Sequence, residues 1–272
     1  MPGADATSFP WHQLRYEDCV QVRVMLEARY HYQTANNYLY VMKGILRECW
    51  KLGLMSADAY HRAVAVKSIK GISLPAGRHV ERGEWQKFFA NLGADTTPLG
   101  IRDLAMFSVL RATGIRKAEL LGLEVEDINI REMTFVVLGK GNKQREVAAD
   151  EWVRAPLLAW LHLRGTRDGA LFCAVYRNGH VHPEHKPLSP SALHLILMQR
   201  IKQAGIPKFS LHDFRRTMAT DLFDADVHIK AVMDQGGWAR AETAARYDRR
   251  PKARMKLAMK NIPNPLGESP TS

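Results

Sequence analysis

Cysteine is scarce in this chain. Its 272 residues hold three, Cys19, Cys49 and Cys173, and no two of them form a C-x-x-C pair. That count and spacing exclude a disulfide framework, argue against a structural zinc site and fit a reducing compartment. Long hydrophobic runs are missing too: no stretch reaches the roughly 18–20 apolar residues of a membrane span. Residues 1–18, MPGADATSFPWHQLRYED, are polar and acidic where a signal peptide needs an apolar core. The expectation is therefore a soluble, cytoplasmic protein with no membrane partner. There is no internal repeat. Acidic residues are the rarer sign, 28 against 39 Lys and Arg, for a net charge of +11. A surface this basic favours a polyanionic partner.

The first part of the chain reads as helices. Apolar residues recur at helical spacing in VQVRVMLEARY (20–30) and more strongly in TANNYLYVMKGILRECWKLGLM (34–55). The stretch 56–71 opens on Ser56 and closes on Gly71, which predicts a further helix. SLPAGRHVERGE has Pro75, Gly77 and Gly83 and no periodicity, as a linker would. The predicted organisation is an N-terminal domain over 1–72 with about four helices, a linker over 73–83, a second domain over 84–262 and a flexible tail over 263–272. In the second domain, helices are predicted at 84–93, 100–114, 116–128, 155–164, 189–205, 212–225, 227–235 and 241–250. TFVVLGKGNKQREVAA (134–149) changes period and reads as a β-hairpin. The expected fold is mainly α with a small antiparallel β-sheet. Trp50, Trp85, Trp152 and Trp160 lie on or beside helical patterns and are assigned to the core.

Several short stretches could carry chemistry. His212 and Arg215 in HDFRR are three apart and share a helix face. An imidazole beside a guanidinium suits an anion such as a phosphate, or a solvated basic face. Arg116 and Glu119 have the same spacing, at a helix start where backbone N–H groups also favour an anion. Lys140 is at a hairpin tip between Gly139 and Gly141. In GGWARAETAARYDRR, Gly236 and Gly237 end one helix, and Trp238 precedes Tyr247 by nine residues (247 − 238). A tyrosine hydroxyl, with an ordinary pKa of about 10, becomes a nucleophile only with electropositive neighbours or a base. Taken together, these residues suit a phosphodiester. Arg116 and Arg215 can neutralise non-bridging oxygens. Lys140 can protonate a leaving oxygen, and His212 can exchange a proton with the nucleophile. No carboxylate cluster suited to Mg²⁺ accompanies them, so metal-free chemistry without a cofactor is expected. His180, His182 and His185 in HVHPEHK are spaced loosely like ligands but have no clear fourth partner, and a polar surface loop is the preferred reading.

In order and spacing these stretches resemble the tyrosine recombinase (phage integrase) family, over residues ~80–250. ATGIRKAELLGLEVEDI resembles its first arginine box, GKGNKQRE its lysine hairpin and LHDFRRTMAT its His-x-x-Arg box. GGWARAETAARYDR resembles its tyrosine segment, with Trp238 where many members carry histidine, as in Cre-type recombinases. An indole can donate one hydrogen bond but cannot shuttle a proton. The resemblance implies an N-terminal core-binding domain and a C-terminal catalytic domain. Its catalytic set would be Arg116, Lys140, His212, Arg215, Trp238 and the nucleophile Tyr247, supported by Glu119. It also implies a 3′-phosphotyrosyl intermediate, no ATP, two domains clamping double-stranded DNA, and a tetramer on two recombination sites. In that tetramer 252–262 would be a candidate for docking on a neighbour. A simple Cre- or Xer-like layout is expected, since little chain is left for an arm-binding domain. Lys43, Arg47, Lys67, Lys70, Lys143, Arg145 and Arg246 are the basic candidates for DNA contacts. A type IB topoisomerase-like enzyme and a catalytically silent DNA-binding protein of the same fold are the alternatives.

Overall fold

The computed structural model describes residues 7–71, 77–139, 141–176 and 178–248. The linker residues 73–76, the segment 252–262 and the tail 263–272 lie outside them. Two compact units meet at the Ala76–Gly77 junction.

The first unit is built on α1 (Tyr16–Arg29), α2 (Tyr32–Lys51) and α3 (Ala57–Val64), after a single 3-10 turn at Trp11–Gln13. Ala35, Leu39, Met42 and Leu46 recur every three or four residues along α2, and all are buried, so one stripe of this helix makes most of the unit's core. Ser56 caps α3 through its Oγ, 3.2 Å from the Ala59 amide. The helix expected over 56–71 stops at Val64. Beyond it Val66 and Ile69 are still buried in the core, although the segment that carries them is not helical. Side chains of α1 and α2 satisfy the backbone of this segment. Asn36 holds both the amide and the carbonyl of Ile69, at 2.8 and 2.9 Å. Arg23 donates to the Lys67 carbonyl and Lys43 to that of Val66.

In the second unit, α5 (Pro98–Thr113) is buried on all sides. It packs against α4 (Arg82–Ala94), α7 (Arg154–Arg164) and α9 (Leu211–Asp224). Trp85, Phe88, Phe107, Phe209 and Phe214 form one aromatic cluster, with Phe107 and Phe214 stacked 5.7 Å apart. Phe214 lies between His212 and Arg215 in sequence and is fully buried. It anchors α9 in the aromatic cluster. Buried charges tie α8 (Pro190–Ala204) to α5: Arg200 bridges Asp103 and Asp95, and Arg102 pairs with Asp103. The segment Gly77–Gly83, assigned to the linker by composition, belongs to this unit. Val80 is fully buried, and Arg78 forks onto Glu84 and donates to the Pro207 and Lys208 carbonyls.

A three-stranded antiparallel sheet runs in the order β1 (Ile128–Asn129), β2 (Thr134–Gly139), β3 (Lys143–Ala148). Phe135 and Val137 on β2 and Val147 on β3 point to the core, the period of two that marks a half-buried strand. The helix expected over 116–128 is the five-residue α6 (Lys117–Leu121), followed by a 3-10 turn and β1. The last elements are α10 (Ile229–Gly236) and α11 (Ala241–Ala245). Trp85 and Trp160 are core, but Trp50 and Trp152 are 37% and 45% exposed. Trp50 covers its face by stacking on Tyr60 at 5.0 Å, and Trp152 packs edgewise on Phe89. Among the described residues, no helix is long and apolar enough to cross a membrane.

Candidate active site

Four segments distant in sequence bring the site together: the start of α6, the β2–β3 hairpin, α9, and the stretch from α10 to just past α11. Arg116 is the N-cap of α6, and its backbone amide donates to Glu119 Oε2 at 2.7 Å. Its Nη1 donates to Glu119 Oε1 at 2.6 Å and its Nη2 to the Gly237 carbonyl at 3.1 Å. The side chain stays 42% exposed, so its remaining N–H groups face solvent. Glu119 is buried and accepts a second fork, from Arg145 Nη1 and Nη2, both at 2.9 Å. Four hydrogen bonds fill the lone-pair sites of one carboxylate. Burial by itself would raise the Glu119 pKa. The bonds from Arg145 and Arg116 outweigh it and hold the carboxyl at about 2.

Arg215 on α9 is buried. Nη1 donates to the Gly114 carbonyl at 3.1 Å and Nη2 to that of Gly236. Its guanidinium lies over the Trp238 indole, 4.0 Å from the ring centre. Burial, then the charge of Arg116, lowers its pKa to about 10, so it stays cationic at neutral pH. Trp238 reaches this position because of the two residues before it. Gly236 has its α-carbon against the indole, and a Cβ there would sit 1.9 Å from a ring atom. Gly237 closes α10 in the left-handed region at φ 61°, where glycine carries no steric cost.

Tyr247 lies just past α11, in a turn rather than in the helix expected over 241–250. Its hydroxyl is 3.3 Å from His212 Nε2. Its ring packs on Trp238 with centres 5.3 Å apart, and the Arg216 guanidinium lies 5.7 Å over it. The Thr220 hydroxyl donates to the Tyr247 carbonyl at 3.2 Å. Desolvation, followed by the charges of Arg215 and Arg216, lowers the His212 pKa. A pKa below the ordinary 6.5 leaves the imidazole mainly neutral at pH 7, and its Nδ1–H tautomer can present a lone pair to the hydroxyl.

Of the residues expected to form the site, Arg116, Glu119, His212, Arg215, Trp238 and Tyr247 come together. Lys140 lies outside the described residues. Its neighbour Gly139 closes β2 beside the site, where an added Cβ would lie 3.7 Å from Glu119 Oε1. Two of the residues expected to contact DNA are reassigned. Arg145 is committed to Glu119, and Lys43 is committed to the Val66 carbonyl at 2.6 Å, so neither is a free surface cation. Arg47, Lys67, Lys70, Lys143 and Arg246 are exposed. His180, His182 and His185 do not converge. His185 is buried with Nδ1 on the Asp168 carbonyl, and His182 Nδ1 accepts from the Glu184 amide.

Sequence reasoning missed Thr220 and Gln235, and it gave Arg145 to DNA rather than to Glu119. Gln235 stitches α10 to β3 and α5 by bonding both backbone groups of Ala148 and the Thr113 carbonyl. Thr220 had one visible signal, since it is four residues after Arg216 on the face of α9 that meets Tyr247.

The chain matches the family model described as "Phage integrase family" over residues 80–254. It is 30% identical over 200 residues to a protein named tyrosine recombinase XerC from Corynebacterium efficiens, covering 72% of this chain and 61% of that one. A Pseudomonas aeruginosa protein of the same name is 33% identical over 153 residues, covering 54% of this chain and 46% of that one. The chain thus spans about three fifths or less of these two relatives' length. Among solved structures, XerH recombinase bound to a palindromic difH substrate aligns with a TM-score of 0.69 at 21% identity, over 92% of this chain and 72% of that one. The Tn1549 transposon integrase in complex with circular intermediate DNA aligns with a TM-score of 0.68 at 17% identity, over 93% and 87%. At these identities the likeness is one of fold.

Proposed function

The chain belongs to the phage integrase family, and on that premise we propose that it is a site-specific DNA recombinase that cuts and rejoins strands through Tyr247. The observation that carries the reading is a tyrosine hydroxyl 3.3 Å from a neutral imidazole, next to two arginines already held in place. Tyr247 Oη attacks the scissile phosphorus while His212 Nε2 takes its proton. The P–O5′ bond breaks, leaving a 3′-phosphotyrosyl link and a free 5′-hydroxyl. Lys140 protonates that leaving oxygen. Arg116 and Arg215 neutralise the charge that builds on the non-bridging oxygens, and Trp238 holds Arg215 and Tyr247 in register. Attack by the 5′-hydroxyl of a partner strand reverses the step. The phosphotyrosine conserves the bond energy, so no ATP is needed, and the two arginines supply the positive charge that a metal would otherwise bring.

Double-stranded DNA is the proposed substrate, in a tetramer holding two sites, within a bacterial cytoplasm and in the service of a mobile element. The exposed cations of both units support a DNA substrate, as do neighbours solved in complex with DNA. A labelled duplex from the DNA flanking the gene, nicked near the presumed crossover, tests the reading. With EDTA present, the wild-type protein should give a slow covalent band on a denaturing gel and Tyr247→Phe none. A band that persists in the phenylalanine variant would discard Tyr247 as nucleophile. Relaxation of any supercoiled plasmid without a site requirement would instead mark a topoisomerase.

A further inference from the structure

Arg145 reads in sequence as one of several cations for a DNA backbone, but its place in the fold gives it other work. We propose that Arg145 is a positioning residue, which docks the β2–β3 hairpin onto the Arg116–Glu119 pair and so fixes the Arg116 guanidinium at the mouth of the site. The proposal rests on the recombinase reading of that site.

Three observations carry it. First, the fork is spent: both terminal nitrogens of Arg145 bond Glu119, and the side chain is only 17% exposed. A guanidinium used in this way has little left to offer a phosphate. Second, it lies where three segments of the site meet. A Cβ on Gly237 would come within 2.7 Å of its Cζ, and one on Gly139 within 3.4 Å of its Nη1. Hence it touches the glycine step before Trp238 and the strand end before Lys140, as well as the start of α6. Third, Arg145 keeps this place although its Nε is buried without a hydrogen-bond partner among the described residues. An arginine serving only as a surface charge would not carry that cost.

Glu119 links Arg145 to Arg116. The carboxylate is 3% exposed. The charged groups that face it are Arg116 from α6, Arg145 from β3 and, farther off, Arg215 from α9. Without Arg145, half of its hydrogen bonds go. A buried carboxylate with fewer partners either draws Arg116 inward or takes up a proton, and both move the guanidinium of Arg116.

The test measures the single-turnover rate of covalent adduct formation on the same nicked duplex at saturating protein. Wild type, Arg145→Ala, Arg145→Lys, Glu119→Gln and the Arg145→Ala/Glu119→Gln double variant are compared over a salt series. Misplacement of Arg116 predicts a fall on the order of 100-fold in the saturated rate of Arg145→Ala, with DNA affinity and salt slope unchanged. Arg145→Lys should fall in between. In the Glu119→Gln background, removing Arg145 should cost little more, because the link is already cut. A saturated rate within twofold of wild type, or a salt slope reduced by about one, would overturn the proposal and make Arg145 a phosphate contact. If Arg145→Ala does not fold, Arg145→Lys decides, and a full wild-type rate there overturns it. An adduct from Tyr247→Phe would discard only the nucleophile of the recombinase reading. Carbon NMR of the glutamate carboxyls then still decides: a Glu119 titration unchanged in Arg145→Lys rejects the docking, and one moved upward upholds it.

Discussion

The two sides of the candidate site are built differently. On the arginine side, Glu119 alone accepts four hydrogen bonds, and Arg215 is pinned by two carbonyls and an indole face. On the tyrosine side, the five-residue α11 ends in a turn, and Tyr247 is held by the Thr220 hydroxyl and the His212 contact from α9 and by ring packing on Trp238. Charge that must stabilise a transition state works best when no reorganisation is needed. A nucleophile that must reach phosphorus and later release it is served by a lighter attachment. On the mechanism proposed above, the contrast separates what stays fixed from what moves.

The sharpest way to break that contrast is on the fixed side. Arg215→Lys leaves a charge but loses the planar fork. Adduct formation should drop by roughly 100- to 1,000-fold with DNA binding retained, as a gel shift run beside the cleavage assay will report.

Glu119→Gln comes next and can be read without DNA. The Glu119 pKa is depressed from an ordinary 4.5 to about 2, so its contribution to stability is present above the unfolded value and lost as pH falls toward 2. That shift corresponds to ~3 kcal/mol. Denaturant melts of wild type and variant should therefore differ by about that much at pH 7 and converge between pH 4.5 and 2.

On the lighter side the effects should be smaller. Thr220→Val removes one hydrogen bond to the Tyr247 backbone, worth about 1 kcal/mol. If that bond aims the nucleophile, the cleavage rate falls by roughly fivefold, and affinity stays as it is. Arg246→Ala should be the mildest change. This exposed neighbour of Tyr247 should lower the salt slope of DNA binding by about one and leave the saturated rate alone. A rate effect larger than that of Thr220→Val would show that the tyrosine side is held more firmly than its contacts imply.

The stretches around Arg116, His212–Arg215 and Trp238–Tyr247, singled out by motif order, lie together in the fold, and the period of apolar residues found α2 and the hairpin. What stayed hidden depended on partners distant in the chain. Nothing in VKSIKG announces that Asn36, Arg23 and Lys43 will satisfy its backbone and end α3 early. Arg145 reads as a surface cation until the hairpin folds back on Glu119, which is 26 residues earlier. The exposed Trp50 and Trp152 look like core on a helical wheel, since a wheel cannot register a stacking partner from another element. Spacing along one helix gives a shared face. Charge pairing between elements emerges only with the fold.

The close approach of Gly236 to Trp238 also restricts the order in which this segment can change over generations. A side chain at 236 and an indole at 238 cannot share the space, so a lineage must shorten 236 before it can accept tryptophan at 238. Once the tryptophan is in place, the path back through a bulkier 236 is closed until the ring is replaced first. The tryptophan therefore locks the glycine two places before it.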